Sequence, residues 1–155
     1  MSTFAYKKGS TKALSGKETQ RINTEAAPPP VGAYSHAVRA GQLLFISGQG
    51  ARDPQTGSVK GRMLDEQGRV VGYDIRMQTQ AALENVKAVI ESAGGTLKDI
   101  VDMTVFLLNM ADFPTYNEVY TEFFGEYKPA RTTLGVASLP GLSAIEIKAV
   151  AFLSE

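Results

Sequence analysis

Two short segments near the C-terminus place charged residues inside strand-like apolar runs: Pro129-Ala130-Arg131-Thr132-Thr133 and Ile145-Glu146-Ile147-Lys148-Ala149. An arginine at the start of a strand is a rigid planar fork suited to holding a carboxylate through two hydrogen bonds. Glu146, flanked by Ile145 and Ile147, points away from their face. If that opposite face lies at a subunit junction, the carboxylate is partly desolvated, which raises its pKa and makes it a usable general acid or base. A cation and a carboxylate on neighbouring strands can bind an acid and manage a proton. The same spacing also fits a plain surface arginine paired with Glu126 or solvent, and a glutamate balanced by Lys148 or Arg131. Alternation puts Arg131, Thr133, Gly135 and Ala137 on one face of their strand, and Glu146 with Lys148 on a common face of theirs.

The rest of the composition limits what else can take part. The chain has 155 residues, 43% of them hydrophobic, enough for one ordinary core in a single domain. Basic and acidic residues number 16 each, so no global positive field draws in nucleic acid or an anionic membrane. No cysteine is present and His36 is the single histidine, which excludes disulfides, thiolate nucleophiles and multi-histidine metal sites. Chemistry must come from carboxylates, hydroxyls, arginine, lysine and backbone groups. With no long apolar run and no secretory-type leader, a cytoplasmic location without membrane contact is expected.

The elements that must position these residues follow from hydrophobic period. Residues 1–24 are polar and lysine-bearing and read as an extension ahead of a domain spanning 25–155. Pro28-Pro29-Pro30 imposes an extended approach to Ala33-Tyr34-Ser35-His36, and a hairpin around Ala40-Gly41 leads into the strand-like Gln42 to Ser47. Asp53 to Gly57 has turn composition, and the stretch to Tyr73 reads as loop or short strand with a second turn at Glu66-Gln67-Gly68. From Asp74 the period becomes helical, with Leu83, Val86 and Ile90 forming a stripe that stops at Gly94-Gly95. Ile100 to Leu108 alternates with apolar residues on both sides, Val101, Met103, Val105 and Leu107 against Phe106 and Leu108, which predicts an inner strand. Asp112 is positioned to cap a second helix, running through Tyr116 and Tyr120 to Gly125. Two strands end the chain, Arg131 to Ala137 and Ala144 to Phe152.

This order predicts an α+β two-layer sandwich in which two helices cover one face of a mixed sheet. Phe106, Val150 and Phe152 would leave apolar surface on the other face, which a closed ring of identical chains would cover economically.

Beyond period and spacing, the chain resembles the Rid (reactive-intermediate deaminase, YjgF-type) family. The resemblance is carried by Gly32-Ala33-Tyr34-Ser35, Ile46-Ser47-Gly48-Gln49, Glu84 to Val89, Thr104-Val105-Phe106-Leu107, Asp112-Phe113 through Tyr120, Pro129-Ala130-Arg131-Thr132 and Leu139-Pro140 through Ile147. It covers residues 26 to 153. It implies a chorismate mutase-like fold, a homotrimer with pairing into a hexamer left open, and sites in clefts between subunits where enamines or imines of amino acids are hydrolysed to keto acids and ammonia. By the same resemblance Arg131 binds the substrate carboxylate and Glu146 positions water. Tyr34, Ser47 and Asn117 fall at pocket or pocket-supporting positions. Each also has a purely structural reading: Tyr34 plugging the interface, Ser47 closing a strand, Asn117 bonding a nearby loop.

Three features depart from the commonest members. Thr133 stands where many carry cysteine, the segment Met63 to Thr79 is longer, and Lys148 replaces a frequent second glutamate. With His36, the last two look more like the 2-aminomuconate deaminases of bacterial aromatic catabolism, whose substrate carries two carboxylates. A dianion needs a second cation, for which Lys148 and His36 are the candidates, while Lys148 neutralising Glu146 is the plainer alternative. No metal or organic cofactor is required. The alternatives are a generic 2-imino acid deaminase, a translation-modulating protein as attributed to Rid relatives, or a non-catalytic ligand-binding trimer, the last using the same Arg131 pocket. No basic, aromatic-interleaved patch points to RNA.

Overall fold

The computed structural model describes residues 19–154. Its strands are β1 (Thr19–Ile22), β2 (Ala37–Ala40), β3 (Leu43–Gln49), β4 (Arg62–Leu64), β5 (Val70–Tyr73), β6 (Ile100–Leu107), β7 (Ala130–Gly135) and β8 (Ile145–Phe152). The two α-helices are α1 (Ile75–Ser92) and α2 (Phe113–Phe124). Six strands form one sheet in the order β1-β2-β3-β8-β6-β7, while β4 and β5 make a separate hairpin. All pairs in the large sheet are antiparallel except β6 with β7, which are parallel and joined across α2. The expected α+β sandwich with a mixed sheet is therefore observed.

Helix α1 forms where the stripe predicts. The Asp74 carboxylate accepts from the Met77 amide at 3.1 Å at its start. At its end Gly94, with φ 83°, lets the Gly94 and Gly95 amides reach the Glu91 and Ile90 carbonyls, a Schellman ending. Leu83, Val86 and Ile90 are wholly buried against the sheet. Each contributes about 1.5–3 kcal/mol relative to exposure. Helix α2 begins with Asp112 at its N-cap position, but that carboxylate does not cap it. It accepts the Tyr73 hydroxyl at 2.7 Å instead, latching the β4–β5 hairpin to the helix.

The helix-covered face is the core. Along β8, Ile145, Ile147, Ala149 and Ala151 are buried beneath the helices, while Glu146, Lys148, Val150 and Phe152 occupy the other face. That open face also exposes Leu43, Phe45 and Leu134. Register makes it continuous, since Phe45 stands opposite Val150 and Leu43 opposite Phe152. The apolar second face expected from Phe106, Val150 and Phe152 is thus present.

Several local expectations need correction. Residues 1–18 lie outside the described residues, but Thr19–Ile22, assigned to the polar extension, is the sheet's edge strand, paired with β2. The sheet therefore takes in residues ahead of the expected boundary at 25. An edge strand needs one ladder of backbone bonds and little apolar period, so Thr-Gln-Arg-Ile carried no strand signal. Within β6 the register shifts between Ile100 and Asp102, so Ile100 rather than Val101 faces the core. The long segment from Met63 resolves into the β4–β5 hairpin and the first turn of α1.

Candidate functional site

Arg131 and Glu146 are not on neighbouring strands. Strand β6 separates β7 from β8, and register gives their faces: Met103 stands opposite Arg131, and Phe106 opposite Glu146. Met103 is fully buried beneath the helices, whereas Phe106 belongs to the open face. The guanidinium and the carboxylate of one chain therefore lie on opposite sides of its sheet. The reading of Glu146 as Arg131's cross-strand partner falls with this geometry.

On the open side, Glu146 lines a depression of about 480 Å³ together with Tyr34, Ser47, Gly48 and Lys148. A β-bulge builds this floor. Ile46 pairs with Ala149 and Gln49 with Ile147, so Ser47 and Gly48 together oppose the single Lys148. The bulge brings the Gly48 backbone under the Glu146 side chain. A methyl group at Gly48 would lie 2.8 Å from the Glu146 carboxyl carbon, too close to be accommodated without displacing it. Glu146 makes no hydrogen bond or ion pair among the described residues, and burial pushes its carboxyl above the ordinary glutamate value.

The remaining residues of this half differ in availability. The Tyr34 hydroxyl accepts from the Val31 amide at 3.3 Å and keeps its own proton for a further acceptor. Ser47 is engaged, donating to the Ser35 carbonyl at 2.7 Å. Lys148 is exposed and, among the described residues, forms no ion pair with Glu146 or any other acid. His36 is only 3% exposed, and both ring nitrogens serve the backbone: Nε2 bonds the Pro28 carbonyl at 2.8 Å and Nδ1 accepts from the Thr24 amide at 3.3 Å. With both ring nitrogens engaged by backbone groups, His36 has no free N–H to offer a second carboxylate. It braces the Pro28 to His36 approach.

On the helix side, Arg131 lines a groove of about 330 Å³ with Asn117, Tyr120 and Lys128. Its guanidinium lies 4.5 Å from the centre of the Tyr120 ring, 5.3 Å from Tyr116 and 5.8 Å from Phe113. Those residues recur at helical spacing along α2, so one helix face supplies the whole cradle. Thr133, next on Arg131's face, shares a hydrogen bond of 2.8 Å with the Tyr116 hydroxyl. Its oxygen is thereby committed inside the fold. Among the described residues no group of acidic or histidine side chains could hold a metal ion, and no helix is long and apolar enough to cross a membrane.

The expected site residues thus divide into two half-sites, Tyr34, Ser47, Glu146 and Lys148 on one face and Arg131 with Asn117 on the other. Two contributors went unrecognised in the sequence. Gly48 entered only as part of the Ile46-Ser47-Gly48-Gln49 segment, and Phe113, Tyr116 and Tyr120 only as part of the second helix, neither with a role at the site; the sequence signal for the cradle was an aromatic stripe at helical spacing ahead of a strand that carries one cation.

The chain is thus a two-layer α+β domain with a cationic half-site on one side of its sheet and an acidic one on the other. Residues 24–153 match the family model described as Ribonuc_L-PSP, endoribonuclease L-PSP, and the chain belongs to that family, the Rid or YjgF-type family. It is 48% identical over 131 residues to a RutC family protein of Pyrococcus horikoshii, covering 84% of this chain and 95% of the relative. It is 38% identical to the 2-iminobutanoate/2-iminopropanoate deaminase of Dermatophagoides farinae, over 83% of this chain and 92% of that protein. Among solved structures it resembles E. coli TdcF with bound serine, with a TM-score of 0.76, 38% identity and coverage of 87% of this chain and 99% of that one.

Proposed function

We propose that this protein is a hydrolytic imine and enamine deaminase acting on small 2-imino acids, with each site assembled from two copies of the chain. The observation that carries the reading is the isolation of Glu146, a half-buried carboxylate with no partner among the described residues, in a depression on an apolar open face. A structural glutamate in a sheet normally finds a partner. The deaminase from Dermatophagoides farinae and the serine-bound TdcF support an amino acid-like ligand.

In this reading the open face of one subunit packs near the β7 edge of its neighbour, bringing Glu146 of one copy to Arg131 of the next. A closed homotrimer would bring those surfaces together and cover Phe45 and Phe152. Arg131 holds the substrate carboxylate. Water held by Glu146 adds through oxygen to the imine carbon, the C=N π pair moves to nitrogen, and Glu146 takes the water proton and returns it to the amine. The carbinolamine then passes its hydroxyl proton to nitrogen through Glu146, and its C–N bond breaks, the pair leaving with ammonia as the carbonyl forms. An enamine enters after protonation at its β-carbon. The Tyr34 hydroxyl is placed to donate to the substrate or to the adding water, while Asn117 borders the Arg131 end.

A second reading narrows the substrate to 2-aminomuconate, giving 4-oxalocrotonate in aromatic catabolism. It rests on Lys148, a cation on Glu146's face with no acidic partner among the described residues, suited to a second carboxylate. His36 no longer supports it.

Ammonia release from 2-iminobutanoate and from enzymatically generated 2-aminomuconate tests both readings. Wild type should exceed buffer with at least the simple imine, and Arg131→Ala should abolish the excess. If wild type matches buffer with both substrates, the deaminase reading is wrong; if only the simple imine turns over, the narrower substrate is wrong.

A further inference from the structure

We infer that Tyr120 is the positioning residue of Arg131, and that its ring rather than its hydroxyl holds the guanidinium in the groove. This rests on the deaminase reading for what Arg131 binds, but not for where Arg131 lies.

Arg131 sits on an edge strand, where a long side chain would ordinarily sample many rotamers. Here it finds no ion pair among the described residues. What constrains it is aromatic: Tyr120 is closest at 4.5 Å, with Tyr116 and Phe113 farther out. The three rings are themselves locked edge to face, with Phe113 and Tyr116 centred 5.5 Å apart and Tyr116 and Tyr120 6.0 Å apart. A ring quadrupole orients a guanidinium without using its N–H donors, so all of them stay free for a carboxylate. An acidic partner would compete with the substrate for that fork.

The two tyrosines differ in a way that separates ring from hydroxyl. Tyr116 is anchored by its hydrogen bond to Thr133. Tyr120 is 7% exposed and its hydroxyl, also buried, has no hydrogen-bond partner among the described residues. An unpaired buried hydroxyl does not stabilise the fold, so the value of Tyr120 resides in its ring. Thr133 then acts through Tyr116, as part of the support of the cradle.

The test uses the full-length protein and two readouts. The first is the Nε–H resonance of Arg131, assigned by its disappearance in Arg131→Lys, which stacked rings displace from the position of a free arginine. The second is KM and kcat for 2-iminobutanoate. Tyr120→Phe should keep the displaced resonance, a KM far nearer wild type than that of Tyr120→Leu, and a melting temperature no lower than wild type. Tyr120→Leu should return the resonance toward the free position and raise KM about tenfold with a smaller change in kcat, as loss of a desolvated cation–π contact implies. Phe113→Leu, at the less buried start of α2, should move both in the same direction by less, and decides the matter if Tyr120→Leu does not fold. The inference is overturned if the leucine variants leave the resonance in place, or if Tyr120→Phe is as damaging as Tyr120→Leu. If wild type releases no ammonia, the deaminase reading fails alone and the resonance decides the cradle.

Discussion

Arg131 and Glu146 lie on opposite faces of one sheet, with β6 between their strands and Met103 and Phe106 as their respective neighbours on it. One copy cannot present both groups to the same small substrate. The open face carrying Glu146 is apolar around it, and the edge strand carrying Arg131 keeps its guanidinium free of acidic partners among the described residues. In the proposed assembly each half is completed by the other half on a second copy.

The pH dependence of Glu146 follows from burial. Desolvation raises its carboxyl above the ordinary glutamate value of 4.5. A group raised in the folded state stabilises in its protonated form; that contribution is complete below the unfolded pKa and is lost as pH rises through the folded one. Urea midpoints of wild type should therefore decline relative to Glu146→Gln as pH increases through the range just above 4.5. In the proposed mechanism activity has the opposite demand, because Glu146 would hold water in its ionised form, so the acid limb of kcat/KM should fall above the ordinary glutamate range. An acid limb at or below that range would count against Glu146 as the base.

Gly48→Ala should act on Glu146 without touching substrate. The added methyl would overlap the carboxylate that lies over the bulge. We expect only a small loss of stability, because the atoms displaced are the far end of a flexible side chain over an open depression. A roughly tenfold or greater fall in kcat/KM should accompany it as the carboxylate moves off its position. Wild-type kinetics in a folded Gly48→Ala protein would mean that the Glu146 placement is not required.

These two residues illustrate what sequence does and does not encode. Period alone placed Glu146 and Lys148 on the face opposite Ile145 and Ile147, because alternation is a property of the strand itself. It likewise placed Leu83, Val86 and Ile90 on one side of α1, and Gly94 at its end. Strand order is not a local property: nothing within β7 or β8 says that β6 comes between them, so the pairing of Arg131 with Glu146 looked direct when it is not. The bulge at Ser47 and Gly48 was hidden for a similar reason, since it exists only against Lys148. The β4–β5 hairpin lacked an alternating signal because Met63, Leu64, Val70 and Val71 are all exposed. His36 looked like a free cation because its partners are backbone groups of Thr24 and Pro28, which no side-chain pattern announces.

The open face makes its own prediction. Phe45 and Phe152, 42% and 49% exposed, stand on adjacent strands across from Val150 and Leu43. Phe45→Lys combined with Phe152→Lys places two charges there without entering the core. Sedimentation velocity should show wild type as an oligomer and the double variant as a monomer, with deaminase activity lost alongside. A wild-type monomer, or a double variant that keeps the wild-type mass, would remove the proposed interface.

The central claim, that one site draws Arg131 and Glu146 from different copies, is tested most directly by mixing. Arg131→Ala and Glu146→Gln are each expected to be inactive. Unfolded together in equal amounts and refolded, they should recover activity, because random assortment in a closed ring leaves about a quarter of the sites with both groups intact. Recovery to about that level confirms a shared site. A refolded mixture of wild-type mass that is no more active than either variant alone would contradict it.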